Sequence, residues 1–296
     1  MPADYILSCE STADLTEEYL KERNIPFACF SFQIDGKDYK DDYGHSMGIK
    51  EFYDSLRRGL VSKTSQVPAS DYEELWRPYL ESGKDIIHIT LSEGISGSYN
   101  SACLAARLML EEFPERRIYV INSENASSGY GLIMSLAADK RDEGADINEL
   151  REYILGIRDH VQAWFFTSDL TYLYRGGRLS KTACVFGTAL KICPVMTVNR
   201  MGKLEAVLKC RGKKKAMEAC VSKMLENCDD GNEYKGYFYI CHSDCMEDAM
   251  VMKEMAENTF PNIKGKTRIF NIGTVIGSHT GPGTLGIFFK GKEKEA

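Results

Sequence analysis

The sequence predicts an α/β protein of two domains, the first built on a parallel sheet and the second on a mixed sheet. Its 296 residues exceed a typical domain of about 100 to 200 residues. In the first half, short β-branched runs alternate with helical patterns, as in a parallel sheet flanked by helices. In the second half, an apparent antiparallel hairpin precedes further helices and strands. We expect domains at 1–160 and 161–296.

The first domain shows regular strand and helix signals. The predicted strands are 5–8, 27–32, 85–91 and 117–121. The predicted helix starts pair an N-cap residue with an acid three positions later, and they are Asp14 with Glu17, Ser70 with Glu73, and Asp146 with Glu149. Gly59 and Gly144 are typical helix ends, and Asp35-Gly36 predicts a tight hairpin.

The second domain begins with a predicted strand at 163–167. Strands 195–198 and 204–209 flank the turn-forming segment 199–202, which indicates an antiparallel hairpin. Helices 213–228 and 246–258 then alternate with strands 236–241 and 267–272, and 287–289 forms a last strand.

Composition argues against several classes of function. The net charge of -6 and the pI near 5.6 do not suit a protein that binds nucleic acid or an anionic membrane. No apolar run reaches the 18 or so residues of a membrane span and no signal-like block opens the chain, so we expect a cytoplasmic protein without stable membrane insertion. Cys241, His242 and Cys245 come nearest to a metal pattern, but no second pair has ligand spacing, and neither metal nor cofactor is expected.

Two hydroxyl-rich segments lie where ligands often bind. Thr64 and Ser65 precede a predicted helix, and we expect them in a loop that binds a ligand or satisfies its own backbone. Ser96 and Gly97 lie between a predicted strand and a predicted helix, at the carboxyl end of the parallel sheet, where backbone N–H groups favour an anion. The alternative for Ser96 is a simple N-cap.

Ser96 also permits an enzyme hypothesis. The pattern G-x-S-x-G of a hydrolase nucleophile fails narrowly, because Ser98 stands where glycine is required. An esterase would use Ser96 as nucleophile, His279 as base, and Asp169 or Asp244 to orient the base.

The segment 277–286 carries a false dinucleotide signal. Its last six residues match G-x-G-x-x-G, but a strand rather than a helix should follow. We expect a tight Gly/Pro loop here that presents His279 and Thr280.

Basic residues mark two further candidates for anion contact. Arg178 follows Gly176-Gly177, where a guanidinium could hold phosphate or carboxylate, or could merely end a helix. Arg211 opens a basic run with 213–215 at a predicted helix start, which suggests a phosphoryl group or an acidic partner, although such runs are usually solvated.

Taken together, the segments resemble the DegV family of EDD-fold lipid-binding proteins, whose members include the FakB subunits of bacterial fatty acid kinase. The resemblance covers nearly the whole chain. It rests on five motifs in the family's order, which are Ser11-Thr12-Ala13-Asp14-Leu15, Thr64-Ser65-Gln66 with Pro68, Leu91-Ser92 through Ser96-Gly97-Ser98-Tyr99, Gly176-Gly177-Arg178, and His279-Thr280-Gly281-Pro282-Gly283.

The resemblance implies a fatty acid between the two domains. Its carboxylate is then held by Thr64, Ser96 and His279, with Ser65, Gly97 and Thr280 beside them. The resemblance further implies that Arg178 faces a kinase partner that binds ATP, and that the segment around Arg211 adjoins the site of phosphoryl transfer. This chain has no G-x-x-x-x-G-K-[ST] loop, so ATP must bind elsewhere.

The sequence departs from the family at Glu10 and Asn122, where aspartate is frequent, and we expect effects only at the edge of the sheet. Candidates for the tail pocket are Met134, Phe165, Phe166, Phe186, Leu190 and Ile192, although core packing explains each equally well. The leading hypothesis is therefore a fatty acid carrier, against a serine esterase and against an anion or nucleic-acid binder that uses 213–215.

Overall fold

The computed structural model describes residues 4–179 and 192–294. Its first sheet has four parallel strands in the order β2-β1-β6-β7, and its second has six strands of mixed direction. The predicted α/β fold with one parallel and one mixed sheet is therefore confirmed. The strands of the first sheet are β1 (Tyr5–Glu10), β2 (Phe27–Ala28), β6 (Asp85–Thr90) and β7 (Ile118–Asn122).

Helices cover both faces of the first sheet, which explains why β6 is buried along its whole length. The helices of the first half are α1 (Glu17–Glu22), α2 (Ile49–Arg57), α3 (Ala69–Glu81), α4 (Ser98–Glu112), α5 (Ser127–Asp142) and α6 (Ile147–Ile157). Helix α5 also packs against three strands of the second sheet, so most of its circumference is buried. One hydrophobic core consequently runs from the first sheet through α5 to the second sheet.

A small three-stranded sheet joins the first sheet at one side. It consists of β3 (Ser31–Ile34), β4 (Lys37–Lys40) and β5 (Ser62–Ser65), in the order β4-β3-β5. The predicted hairpin is confirmed, because Asp35 and Gly36 both have positive φ, as a type I′ turn requires. The prediction of a single strand over 27–32 is wrong. The strand is interrupted before Ser31, and the chain passes there from the first sheet to the small sheet.

The sequence signals for helix ends were partly correct. Asp146 and Glu149 form the predicted capping box of α6. Thr16, rather than Asp14, caps α1, because Asp14 is turned into the core with left-handed backbone at the end of a short 3-10 turn. Helix α3 begins at Ala69, so Ser70 lies inside its first turn.

The second sheet has the order β10-β9-β8-β13-β11-β12. Its strands are β8 (Val161–Phe166), β9 (Ile192–Val198), β10 (Leu204–Arg211), β11 (Phe238–His242), β12 (Arg268–Asn271) and β13 (Leu285–Lys290). The remaining helices of the described ranges are α7 (Thr171–Arg175), α8 (Lys213–Asn227), α9 (Met246–Thr259) and α10 (Thr274–Thr280). The predicted β9–β10 hairpin is confirmed. Within the described ranges no helix has the length and apolar character needed to cross a bilayer.

Candidate functional site

A cavity of about 960 Å³, counted to its open mouth, lies between the two halves of the chain. Apolar side chains from both halves form most of its wall, among them Phe30, Leu91, Phe165, Val198 and Phe288. Such a wall suits an extended apolar ligand.

Five polar residues predicted from sequence motifs line this one cavity. They are Thr64, Ser96, Arg178, His279 and Thr280, which come from four distant stretches of the chain. The fold thus brings together most of the residues that the sequence analysis selected.

Thr64 and His279 are in direct contact, with Thr64 Oγ1 2.8 Å from His279 Nε2. Thr64 is not in a loop as predicted, because it pairs with Phe32 in the small sheet as part of β5. His279 is not in a Gly/Pro loop either. It lies in the last turn of α10, and the glycine signal marks the end of that helix at Gly281, whose φ is +73°.

The imidazole of His279 is neutral at physiological pH. Burial, together with the nearby positive charge of Arg178, lowers the pKa of His279 to about 4. Its Nδ1 atom is buried and has no hydrogen-bond partner among the described residues. A neutral ring beside a hydroxyl can orient a polar head group without adding a full charge.

Ser96 lies in the loop between β6 and α4, as predicted. Its N–H donates to the carbonyl of Ser92 at 3.0 Å, and its Oγ accepts the N–H of Ser98 at 3.2 Å. These bonds fix the hydroxyl at the cavity wall, where it is 9% exposed. Within the described part of the chain its hydrogen has no acceptor, so it can be donated to a ligand.

The loop of Ser96 is supported by the two positions at which the chain departs from the family. Glu10 Oε2 accepts the N–H of Leu91 at 2.7 Å, and Asn122 Oδ1 accepts the N–H of Glu93 at 3.2 Å. Glu10 ends the interior strand β1, so the expectation that its change affects only the edge of the sheet was wrong. Burial raises the pKa of Glu10 to about 7.

Arg178 brings a positive charge to the cavity. Its guanidinium donates to the carbonyls of Ile95 at 3.0 Å and Gly176 at 2.6 Å, and burial lowers its pKa. In the described ranges no carboxylate shifts its pKa or forms an ion pair with it, and the segment 180–191 contains neither Asp nor Glu. A cation without an acidic partner favours an anionic ligand.

The residues proposed for an esterase are not arranged as a triad. His279 Nε2 contacts Thr64 rather than Ser96, while Asp169 Oδ1 accepts the N–H of Thr171 and Asp244 is paired with Arg57. A histidine with a pKa of about 4 is also a weak base at neutral pH.

Three other predicted site residues lie away from the cavity wall. Ser65 is exposed, because adjacent residues of β5 point to opposite faces. Gly97 precedes α4, and a methyl group there would overlap Gln66 Oε1, so its role is to allow close packing. Arg211 ends β10, about 23 Å along that strand from the cavity-lining Leu204, given about 3.3 Å per residue.

Two of the residues predicted for the tail pocket lie on opposite faces of the second sheet, because side chains alternate along a strand. Phe165 lines the cavity, whereas Phe166 points into the core on the other face of the second sheet. Met134 and Ile192 are not among the lining residues, and Phe186 and Leu190 lie outside the described residues. Sequence reasoning missed Phe30, Val198 and Phe288, because only the pairing of distant strands reveals which faces meet.

The basic run at the start of α8 is matched by acids of the same chain. Lys213 pairs with Asp248, and Lys215 Nζ lies 2.6 Å from Glu218. Among the described residues no group of His, Cys, Asp and Glu has the arrangement of a metal site.

The comparisons with known proteins agree on one family. The profile described as "Uncharacterised protein, DegV family" matches residues 7–292. A DegV domain-containing protein of Clostridium perfringens is 34% identical over 98% of this chain and 99% of its own length. A fatty-acid-binding DegV family protein of Thermus thermophilus superposes with a TM-score of 0.84, at 26% identity over 97% of this chain and 99% of that one.

A third similarity concerns the fold alone. The Fatty Acid Kinase B3 protein of Streptococcus pneumoniae, loaded with linoleic acid, superposes with a TM-score of 0.83 at 23% identity, over 97% of this chain and 99% of that one.

Proposed function

Because this chain belongs to the DegV family, we propose that it is a carrier that binds one long-chain fatty acid in the cavity described above. The observation that carries the proposal is the convergence of Thr64, Ser96, His279 and Arg178 on one apolar cavity. A fatty acid has the matching chemistry, with a single anionic end and a long hydrocarbon chain.

The hydrocarbon chain supplies most of the proposed affinity. Burying about 16 methylenes at about 0.8 kcal/mol each offers on the order of 13 kcal/mol before the entropic costs of binding. The head group then needs orientation more than strength, and the hydroxyls of Thr64 and Ser96 provide it. Arg178 offsets the carboxylate charge, which would otherwise be costly to bury.

We further propose that the bound carboxylate is presented to a separate kinase subunit that binds ATP, for conversion to an acyl phosphate. The similarity to the pneumococcal Fatty Acid Kinase B3 protein supports this step. Neutral donors such as Thr64 and Ser96 suit both a carboxylate and an acyl phosphate. In this proposal Arg178, at the cavity, faces the kinase, and the more distant Arg211 contributes to docking. A cytoplasmic location, where ATP and reduced thiols occur together, belongs to the same proposal.

Extraction of the purified protein with organic solvent, followed by mass spectrometry, tests the ligand class. We expect fatty acids in amounts approaching one per chain. Retention of another lipid class, or of no lipid after expression in cells supplied with fatty acids, would contradict the proposal.

A matched pair of substitutions tests the head-group site. Thr64→Val removes the hydroxyl that contacts His279 and should weaken fatty acid binding about tenfold, since a hydrogen bond to a charged group contributes about 1.5–3 kcal/mol. Ser65→Ala changes the adjacent exposed hydroxyl of the same strand and should leave the dissociation constant unchanged. Equal effects of the two substitutions would place the carboxylate elsewhere.

A further inference from the structure

Two buried carboxylates hold the start of the helix that carries His279. Asp14 Oδ1 accepts the N–H of Gly273 at 2.9 Å. Asp41 Oδ1 accepts the N–H of Thr274 at 2.9 Å and its hydroxyl at 2.7 Å. Both acids come from the first 41 residues, so the beginning of α10 is anchored by a distant part of the chain.

The two carboxylates are close to each other and have no basic partner in the described ranges. A methyl group on Gly273 would lie 2.9 Å from Asp14 Oδ1 and 3.0 Å from Asp41 Oδ1, so these oxygens are at most 5.9 Å apart, the sum of the two distances. The residues are 3% and 4% exposed. Two like charges this close in a buried place each disfavour the ionised form of the other.

Asp14 offers a place for one proton. Asp14 Oδ2 is hydrogen-bonded to Ser127 Oγ, which lies 3.6 Å from Cys241 Sγ. A protonated Asp14 donates to Ser127, which then donates to the thiol, and an ionised Asp14 accepts from Ser127. Burial raises the pKa of Asp14 well above its ordinary value, and the charge of Asp41 raises it further.

The phenol and thiol groups that face the pair stay neutral. Burial raises the pKa of Tyr43, Tyr53 and Cys241 far enough that none ionises near neutral pH. Glu17 and His45, which are paired with each other, line a second cavity whose wall also includes Asp14 and Asp41. That cavity gives solvent protons a route to the pair.

We propose that Asp14 and Asp41 share one proton and together position helix α10, so that loss of the proton loosens the helix and weakens binding of the lipid head group by His279. The proposal rests on the proposed fatty acid function. It assigns both acids as positioning residues, because neither forms part of the head-group contact.

Three variants separate a shared proton from a purely structural role. In Asp14→Asn the amide oxygen can still accept from Gly273 and the NH₂ group can donate to Ser127, which reproduces the protonated acid. Asp14→Gly removes both bonds. Asn and Gly both tolerate the φ of +49° at this position. Asp35→Asn is the matched control, since Asp35 is exposed and has a φ of +51°.

The first readout is the dissociation constant of a fluorescent fatty acid between pH 6 and 9.5. Binding of the fatty acid by the wild type and by D35N should weaken with rising pH, by up to about tenfold per pH unit for one proton. D14N should show little of this loss, and D14G should bind about fivefold more weakly throughout. Glu10 and Glu124, with pKa values of about 7, titrate in every variant, so the difference between D14N and D35N isolates the pair. Identical pH profiles for D14N and D35N would overturn the proposal.

The second readout needs no lipid. Since the pKa of Asp14 is raised by folding, the native state keeps a proton that the unfolded chain releases, and stability falls as pH rises. The Tm of the wild type should therefore fall relative to that of D14N between pH 5 and 9. If no form binds the probe, the fatty acid function is wrong while this comparison still tests the pair, and parallel Tm curves would overturn it.

Discussion

Gly176 is the position at which one methyl group should disturb the head-group site most selectively. It follows α7 with helical backbone, φ −71° and ψ −9°, so alanine is not strained there. A methyl group would lie 3.0 Å from His279 Cε1 and 3.2 Å from Cγ, and closer still to Nδ1, whereas ordinary contacts begin at 3.4 Å. The imidazole cannot retreat directly, because Thr64 Oγ1 is 2.8 Å from Nε2 on the far side.

In the Gly176→Ala variant the imidazole of His279 must therefore rotate away from Thr64. The protein loses the Thr64–His279 bond and the bond that His279 offers to the carboxylate. A hydrogen bond to a charged group contributes about 1.5–3 kcal/mol, which corresponds to roughly tenfold to a hundredfold in affinity. Binding of the apolar tail is unaffected, so some affinity should remain.

Titration calorimetry with one fatty acid and with the alcohol of the same length measures this effect. G176A should lose affinity for the acid and little for the alcohol. Gly156→Ala is the control, because Gly156 is an exposed helix position with nothing within 4 Å of the added methyl group. That substitution should raise the free energy of unfolding by about 0.5–1 kcal/mol and leave binding unchanged. Wild-type affinity of G176A for the acid would show that His279 does not contact the carboxylate.

Three further predictions follow from the polar network. Arg178→Gln should weaken binding of the fatty acid more at low salt than at high salt, because it removes the cation at the cavity, and a salt-independent loss would count against that role. Glu10→Gln should lower the free energy of unfolding in urea by about 1–3 kcal/mol, since an amide cannot accept from both Leu91 and Tyr72 without leaving its own donors unpaired, and an unchanged midpoint would contradict this. Burial lowers the pKa of His279 to about 4, so the unfolded chain binds a proton that the native state refuses, and the Tm of the wild type should fall relative to that of His279→Gln as the pH drops from about 6.5 toward 4, whereas parallel Tm curves would disagree.

Local signals predicted much of the fold. The Asp35-Gly36 turn and the capping box of α6 each depend on residues within a few positions, and both were read correctly. The strand β5 was missed, because four polar residues become a strand only by pairing with β3. Helix α10 was missed because β-branched residues and glycine disfavour a helix, and distant acids such as Asp41 hold it in place.

The individual residues of the candidate site could also be predicted from local motifs, but their arrangement in space could not. Thr64, Ser96 and His279 could be selected as motif residues, and the resemblance to a family gave them a common ligand. Their spatial convergence depends on the pairing of distant strands. The lack of an acidic partner for Arg178 among the described residues could not be predicted from the sequence, since it depends on the positions of acids from distant parts of the chain.

In the proposed complex one carboxylate contacts Thr64, Ser96 and His279 while its hydrocarbon chain fills the cavity. A crystal structure of the protein with a bound C16 or C18 fatty acid shows whether this arrangement exists. We predict carboxylate oxygens within about 3.2 Å of the side chains of all three residues, with the chain extending past Phe165 and Phe288. A fatty acid bound in the opposite direction, or outside this cavity, would contradict the account.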